Sequence, residues 1–234
     1  MDKLEEILAQ LKAEGTKPKF IYAITNFQNP TGVTLSLPRR KEILRLAKEY
    51  SVLVAEDDSY GDLRCEGNWV TSMYALDTDG LVVRIGTFSK ILGAGVRQGF
   101  VIAPTEILTR MQGVKIDGGT NALASSIIAG YLKDNLVDRI GEVQEVYHVK
   151  RDAMLQALSD FLGSSAEWTH PQGGMFLWLK LPEGTDPDKL WETAAAERVI
   201  YVPGWNFTPD GKGARNCILL CYAYPAPEDI REGV

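Results

Sequence analysis

An α/β fold with a mostly parallel sheet, followed by a smaller C-terminal α+β unit, is predicted by three features of the sequence. Short apolar segments near 20–25, 52–57, 81–87 and 99–103 alternate with helical patterns, as strands joined by crossover helices do. Polar residues gather just beyond these segments, at the strand ends where an open α/β sheet collects ligand contacts. From about residue 136 the pattern changes to one long helix and then to strand, helix and strand.

Taken in order, Phe20-Ile21-Tyr22-Ala23-Ile24 reads as the first strand and 36–50 as a helix, with Ser36 as cap and Ile43, Leu46, Ala47 and Tyr50 as its apolar face. Val52-Leu53-Val54-Ala55 reads as a buried strand running into three carboxylates, Glu56, Asp57 and Asp58. Small and apolar residues over 121–132 predict a packed helix. A separate long helix is predicted over 136–162 from Ile140, Val143, Val146, Tyr147, Ala153, Met154 and Leu158. Beyond it, 168–181, 186–198 and 216–224 read as strand, helix and strand. The expected organisation is a large domain over 1–135, a connecting helix over 136–162 and a small domain over 163–234.

Composition narrows the function. A chain of 234 residues can bury a substantial core, and its net charge of −6 disfavours a phosphate backbone as partner, so no nucleic acid is expected. The N-terminus is amphipathic and acidic, without the apolar core of a signal peptide, and no apolar run is long enough to span a bilayer. A cytoplasmic protein without membrane contact is therefore expected. Cys65, Cys217 and Cys221 form no metal pattern and suit a reducing compartment, while His148 and His170 stand too far apart to suggest a metal site or a catalytic triad.

The most informative stretch is Val83-Arg84-Ile85-Gly86-Thr87-Phe88-Ser89-Lys90, with Arg97 seven residues on. A lysine beside hydroxyl residues and an arginine supplies an amine for a Schiff base and a cup for a phosphate, the needs of covalently held pyridoxal phosphate (PLP). Two further segments accompany it: Asn26-Phe27-Gln28-Asn29-Pro30-Thr31-Gly32 after the first strand, and Glu56-Asp57-Asp58-Ser59-Tyr60 after the second. Each has a plainer reading: a solvated loop lysine, a strand-to-helix turn, a helix start collecting negative charge.

Together with Pro171-Gln172-Gly173-Gly174-Met175-Phe176-Leu177-Trp178, and with Tyr201-Val202-Pro203-Gly204 followed by Phe207, these motifs stand in family order, and the chain resembles the fold-type I PLP enzymes of the class I and II aminotransferases. The likeness is greatest to the branch of 2-aminoadipate aminotransferases and aminotransferase-like regulators. The resemblance implies a partial PLP-binding large domain, with Lys90 carrying the cofactor and moving the substrate α-proton. It implies Asp57 as partner of the pyridine nitrogen, with Asp58 and Glu56 less suited because the family spaces this Asp and Tyr by three. Asn29 and Tyr60 would reach the phenolic oxygen, and Thr87, Ser89 and Arg97 would hold the phosphate. Amino-acid and 2-oxo-acid substrates and a homodimer follow from the same likeness.

Two departures bear on activity. Where relatives carry an arginine for the substrate carboxylate, Asn216-Cys217-Ile218-Leu219-Leu220 presents Leu219; Arg215, four residues earlier, would share its face on a regular strand and is the candidate substitute, with Asn29, for binding substrate. Ala94 also replaces a usual proline. Relatives carry well over a hundred residues before the Asn-Pro-Thr-Gly segment, so the chain corresponds to the C-terminal two-thirds of the family fold. Impaired transamination is therefore expected. The alternatives are another PLP reaction such as decarboxylation or elimination, or a non-catalytic fragment or sensory domain.

Overall fold

The computed structural model describes residues 1–234, which divide into two compact units. The first comprises Met1–Thr25, Leu35–Gly61 and Asn68–Arg139; the second comprises Asn26–Thr34, Asp62–Gly67 and Ile140–Val234. Unlike a single cut near residue 135, this division assigns two short upstream segments to the second unit.

The first unit is α/β. Helix α1 (Asp2–Ala13) precedes β1 (Phe20–Ile24), α2 (Leu37–Tyr50), β2 (Leu53–Asp57), α3 (Met73–Leu76), β3 (Val82–Thr87), β4 (Gly99–Ile102) and α4 (Thr105–Val114). The sheet runs β1-β2-β3-β4, with the first three strands parallel and β4 antiparallel to β3. The β3 to β4 connection contains no α-helix that could carry the chain back across the sheet, so β4 returns antiparallel. Alternation along the strands sends Ile21, Ala23, Val54 and Val82 into a core with Ile43, Ala47 and Met73, while Ala55 and Asp57 point to the other face. Ser36 is the N-cap residue of α2 as expected, yet its side chain makes no capping bond; Pro38 in the first turn helps set the helix entry instead.

The second unit is α+β. Helix α5 (Ala122–Phe161) contributes its residues from Ile140 onward, followed by β5 (Glu167–Trp168), β6 (Phe176–Lys180), α6 (Pro187–Ala196), β7 (Val202–Pro203), β8 (Cys217–Cys221) and α7 (Pro227–Gly233). The sheet order is β5-β6-β8-β7, with antiparallel pairs throughout. Met154, Leu158, Leu177, Leu179, Ile218, Tyr222 and Ile230 form its core.

Two expectations change here. The separate helices at 121–132 and 136–162 are one 40-residue helix, because the Lys133-Asp134-Asn135 junction holds no proline and its exposed polar side chains tolerate helix without needing a turn. The strand expected over 168–181 is split into β5 and β6 at Pro171, Gly173 and Gly174. No helix is long and apolar enough to cross a membrane.

Candidate active site

In the first unit, the ends of β2 and β3 hold most of the residues singled out in the sequence. Asp57 closes β2, and both of its carboxylate oxygens are occupied. Oδ1 accepts the Ser59 amide at 3.0 Å and the Ser59 hydroxyl at 2.5 Å, and Oδ2 accepts the Tyr22 hydroxyl at 2.6 Å. Burial, then the hydrogen bond to Asp57 and its charge, push the Tyr22 phenol well above its ordinary range.

The neighbouring carboxylates are engaged elsewhere. Asp58 accepts Arg84 at 2.6 Å. Glu56 is fully buried on the opposite sheet face, accepting the Met73 and Tyr74 amides at 2.8 and 2.9 Å, with Arg40 3.9 Å away. Arg40, equally buried, donates to the carbonyls of Thr25, Leu35, Val70 and Thr71.

Lys90 lies in the turn after β3, its Nζ 5.6 Å from the centroid of the buried Tyr60 ring. Beyond that ring contact, the Lys90 side chain makes no hydrogen bond or ion pair. Thr87 ends β3, and its Oγ1 is 2.9 Å from the Ser89 hydroxyl and accepts the Ser89 amide at 3.1 Å. Gly86 makes room for the Phe100 ring, which a Cβ would strike, and Arg139 donates to the Ile91 carbonyl at 2.8 Å, fixing the turn just past Lys90. Arg97 has left-handed backbone (φ 49°) and is exposed, with one weak bond to the Ala94 carbonyl at 3.4 Å. It lines an open cleft together with Lys115, Thr120 and Asn121.

In the second unit, Asn29 precedes a cis peptide bond to Pro30, and its Oδ1 is buried without a hydrogen-bond partner. Gln28 organises the turn, accepting the Thr31 amide at 3.0 Å and the Thr31 hydroxyl at 2.5 Å. Gly174 (φ 78°) sits against the fully buried Phe27, where a Cβ would come within 2.5 Å of the Phe27 Cβ. The Arg64 guanidinium covers the Phe27 ring at 4.8 Å.

Leu219 is buried in β8, paired with Trp178 and Val202, and Phe207 meets Trp178 edge-on at 5.7 Å. Paired residues share a sheet face, so Leu219 belongs to an apolar surface. Arg215 does not share it. The strand begins only at Cys217, and Arg215 occupies the preceding turn, exposed, with its Nε on the Lys212 carbonyl at 3.3 Å. The regular strand that would have aligned Arg215 with Leu219 gives way to a turn over Arg215 and Asn216, closed by the Cys217 amide donating to the Ala214 carbonyl at 3.1 Å.

Sequence reasoning missed Tyr22 and Arg40. Both had a signal: Tyr22 alternates onto the Asp57 face in a parallel pair, and Arg40 stands three residues before Ile43 on the apolar stripe of α2, where a charge must have buried partners.

Comparison with known proteins agrees with these features. The chain is 41% identical over 237 residues to an aromatic-amino-acid aminotransferase of Thermococcus litoralis, covering 100% of this chain and 57% of that protein. It is 36% identical to a 2-aminoadipate transaminase of Thermus thermophilus, covering 100% of this chain and 59% of the other. Among solved structures, a Pyrococcus horikoshii kynurenine aminotransferase superposes with a TM-score of 0.95 at 41% identity, covering 99% of this chain and 58% of that one. The chain thus spans under three-fifths of the length of these relatives. The family described as aminotransferase class I and II matches residues 1–234, so the chain belongs to that family.

Proposed function

We propose that this chain is the Lys90-bearing portion of a PLP-dependent aminotransferase that moves an amino group between an amino acid and a 2-oxo acid. The observation that carries the reading is the Lys90 amine, left without a hydrogen-bonding partner at the end of β3 in the unit where Asp57 is braced through both oxygens. The residues of the first unit fit the cofactor: a carboxylate for a ring nitrogen, an amine for an aldehyde, and two hydroxyls and an arginine for a phosphate.

When bound, PLP supplies an aldehyde that condenses with amines and a ring that takes up the electron pair released at the substrate α-carbon. Lys90 provides the attaching amine and then carries the α-proton. Asp57 holds a proton on the ring nitrogen, and its fixed carboxylate needs no reorganisation as charge develops. Tyr60 and Asn29 serve the phenolic oxygen, while Thr87, Ser89 and Arg97 hold the phosphate. A homodimer, a cytoplasmic location and small amino-acid and 2-oxo-acid partners complete the proposal.

Leu219 favours a second reading. A leucine cannot bind a carboxylate, and the apolar surface it shares with Trp178 and Val202 suits a substrate lacking one, or another PLP reaction such as decarboxylation or elimination. The third reading, a non-catalytic fragment or sensory domain, rests on the 57% coverage of a relative.

Borohydride reduction after incubation with PLP, followed by peptide mapping, tests the proposal. A single phosphopyridoxyl label on Lys90, lost in Lys90→Ala, is expected. A label on another lysine overturns the site, and absence of any uptake favours the fragment.

A further inference from the structure

We infer that Tyr22 is a positioning residue, one that fixes the orientation of the Asp57 carboxylate and acts on the cofactor only through it. The inference rests on reading Asp57 as partner of the ring nitrogen.

The register supplies the geometry. Tyr22 pairs with Ala55, and Ile24 pairs with Asp57, so Tyr22 stands on the Asp57 face two residues behind it. Strand side chains lean along their strand, and a diagonal neighbour is within reach of a long aromatic. Ala55 carries only a methyl group, which leaves the ring free to reach forward to Asp57.

The bond itself is short. At 2.6 Å it falls in the range of a hydroxyl donating to a charged acceptor, the stronger class of protein hydrogen bond. The ring is 55% exposed while its hydroxyl is engaged by Asp57. The bond is not redundant: Ser59 holds only Oδ1, and without Tyr22 nothing described at Oδ2 would stop the carboxylate turning about its Cβ–Cγ bond. Ser59 donates twice to Oδ1 from just past β2 and Tyr22 donates once to Oδ2 from β1, which fixes the carboxylate plane and leaves a lone pair on Oδ2 for a ligand.

A double-mutant cycle on PLP affinity in the full chain tests this, using Tyr22→Phe, Asp57→Asn and the pair. Tyr22→Phe removes one oxygen from a half-exposed ring, and a single cooperative thermal transition of the cofactor-free protein shows that it still folds. Loss of a hydrogen bond to a charged group predicts about tenfold weaker PLP binding in Tyr22→Phe. In the Asp57→Asn background the same change should cost less than about twofold, since the acceptor it orients is gone. A change below about twofold in both backgrounds, or an equal loss in both, overturns the role of Tyr22 while Asp57 stands. Affinity unaffected by Asp57→Asn, or no PLP uptake by the unmodified chain, overturns the reading of Asp57 and the inference with it.

Discussion

Arg40→Met should be among the most damaging single changes in the first unit. The Arg40 and Glu56 side chains are both 0% exposed, and Arg40 bonds the Leu35 and Thr25 carbonyls at 3.0 Å each, with Val70 and Thr71 at 3.3 and 3.2 Å. Methionine fills similar volume but leaves several carbonyls short of a donor and Glu56 buried without its counter-charge. Breaking such a pair costs about 3–5 kcal/mol. At roughly 2–4 °C per kcal/mol for a chain of this size, the melting temperature should fall by about 6–20 °C. Adding Glu56→Gln to Arg40→Met removes the stranded charge, so the two changes together should cost less than their sum by at least about 1.5 kcal/mol. Circular dichroism melts of the four proteins provide the assay. A fall of under about 3 °C for Arg40→Met, or strict additivity, would refute the account of this network as a coupled buried pair.

Three other outcomes are expected. Conversion of bound PLP by common α-amino acids should be slower than by relatives carrying an arginine at the Leu219 position, by tens to thousands of times, because a lost buried charge pair costs about 2–5 kcal/mol; a half-reaction assay across amino acids and simple amines checks this, and rapid turnover of an ordinary α-amino acid would contradict it. Thiol alkylation at pH 8 followed by mass spectrometry should label exposed Cys221 first, because burial pushes the Cys65 thiol up to about 11 and leaves roughly a thousandth of it as thiolate, with labelling quickening about tenfold per pH unit until that value. Gly174→Ala should destabilise the chain by about 1–3 kcal/mol, read from denaturant midpoints, since its φ of 78° and the Phe27 Cβ at 2.5 Å oppose a side chain; a neutral result would mean that Phe27 can move aside.

Local signals carried much of the fold. The strands of the first sheet lie within a residue or two of the apolar segments, and the Asp57 and Lys90 segments lie just past strands, as alternation and strand length imply. Pairings distant in sequence were not legible. Nothing near Asn26–Thr34 indicates that it belongs with residues beyond Ile140, because the contacts that hold it there, Phe27 against Gly174, span most of the chain. The single helix α5 was obscured by the polar residues 133–135, which read equally as a turn or as a solvated helical face. Arg215 was misaligned because a turn over Arg215 and Asn216, closed by the Cys217 amide on the Ala214 carbonyl, replaces a strand that composition alone would extend.

The discontinuous second unit also sets a timetable for synthesis. The Gly174 backbone against which Phe27 packs leaves the ribosome about 150 residues after it, a wait of roughly 7–30 s at ordinary elongation rates. Throughout that interval a ring destined to be wholly buried has no seat, and a chain stalled or cleaved before Gly174 never provides one. Nascent and clipped forms of this protein should therefore be the species that chaperones hold and proteases remove, and an exchange of the small sheet between relatives would have to carry all three segments of the unit.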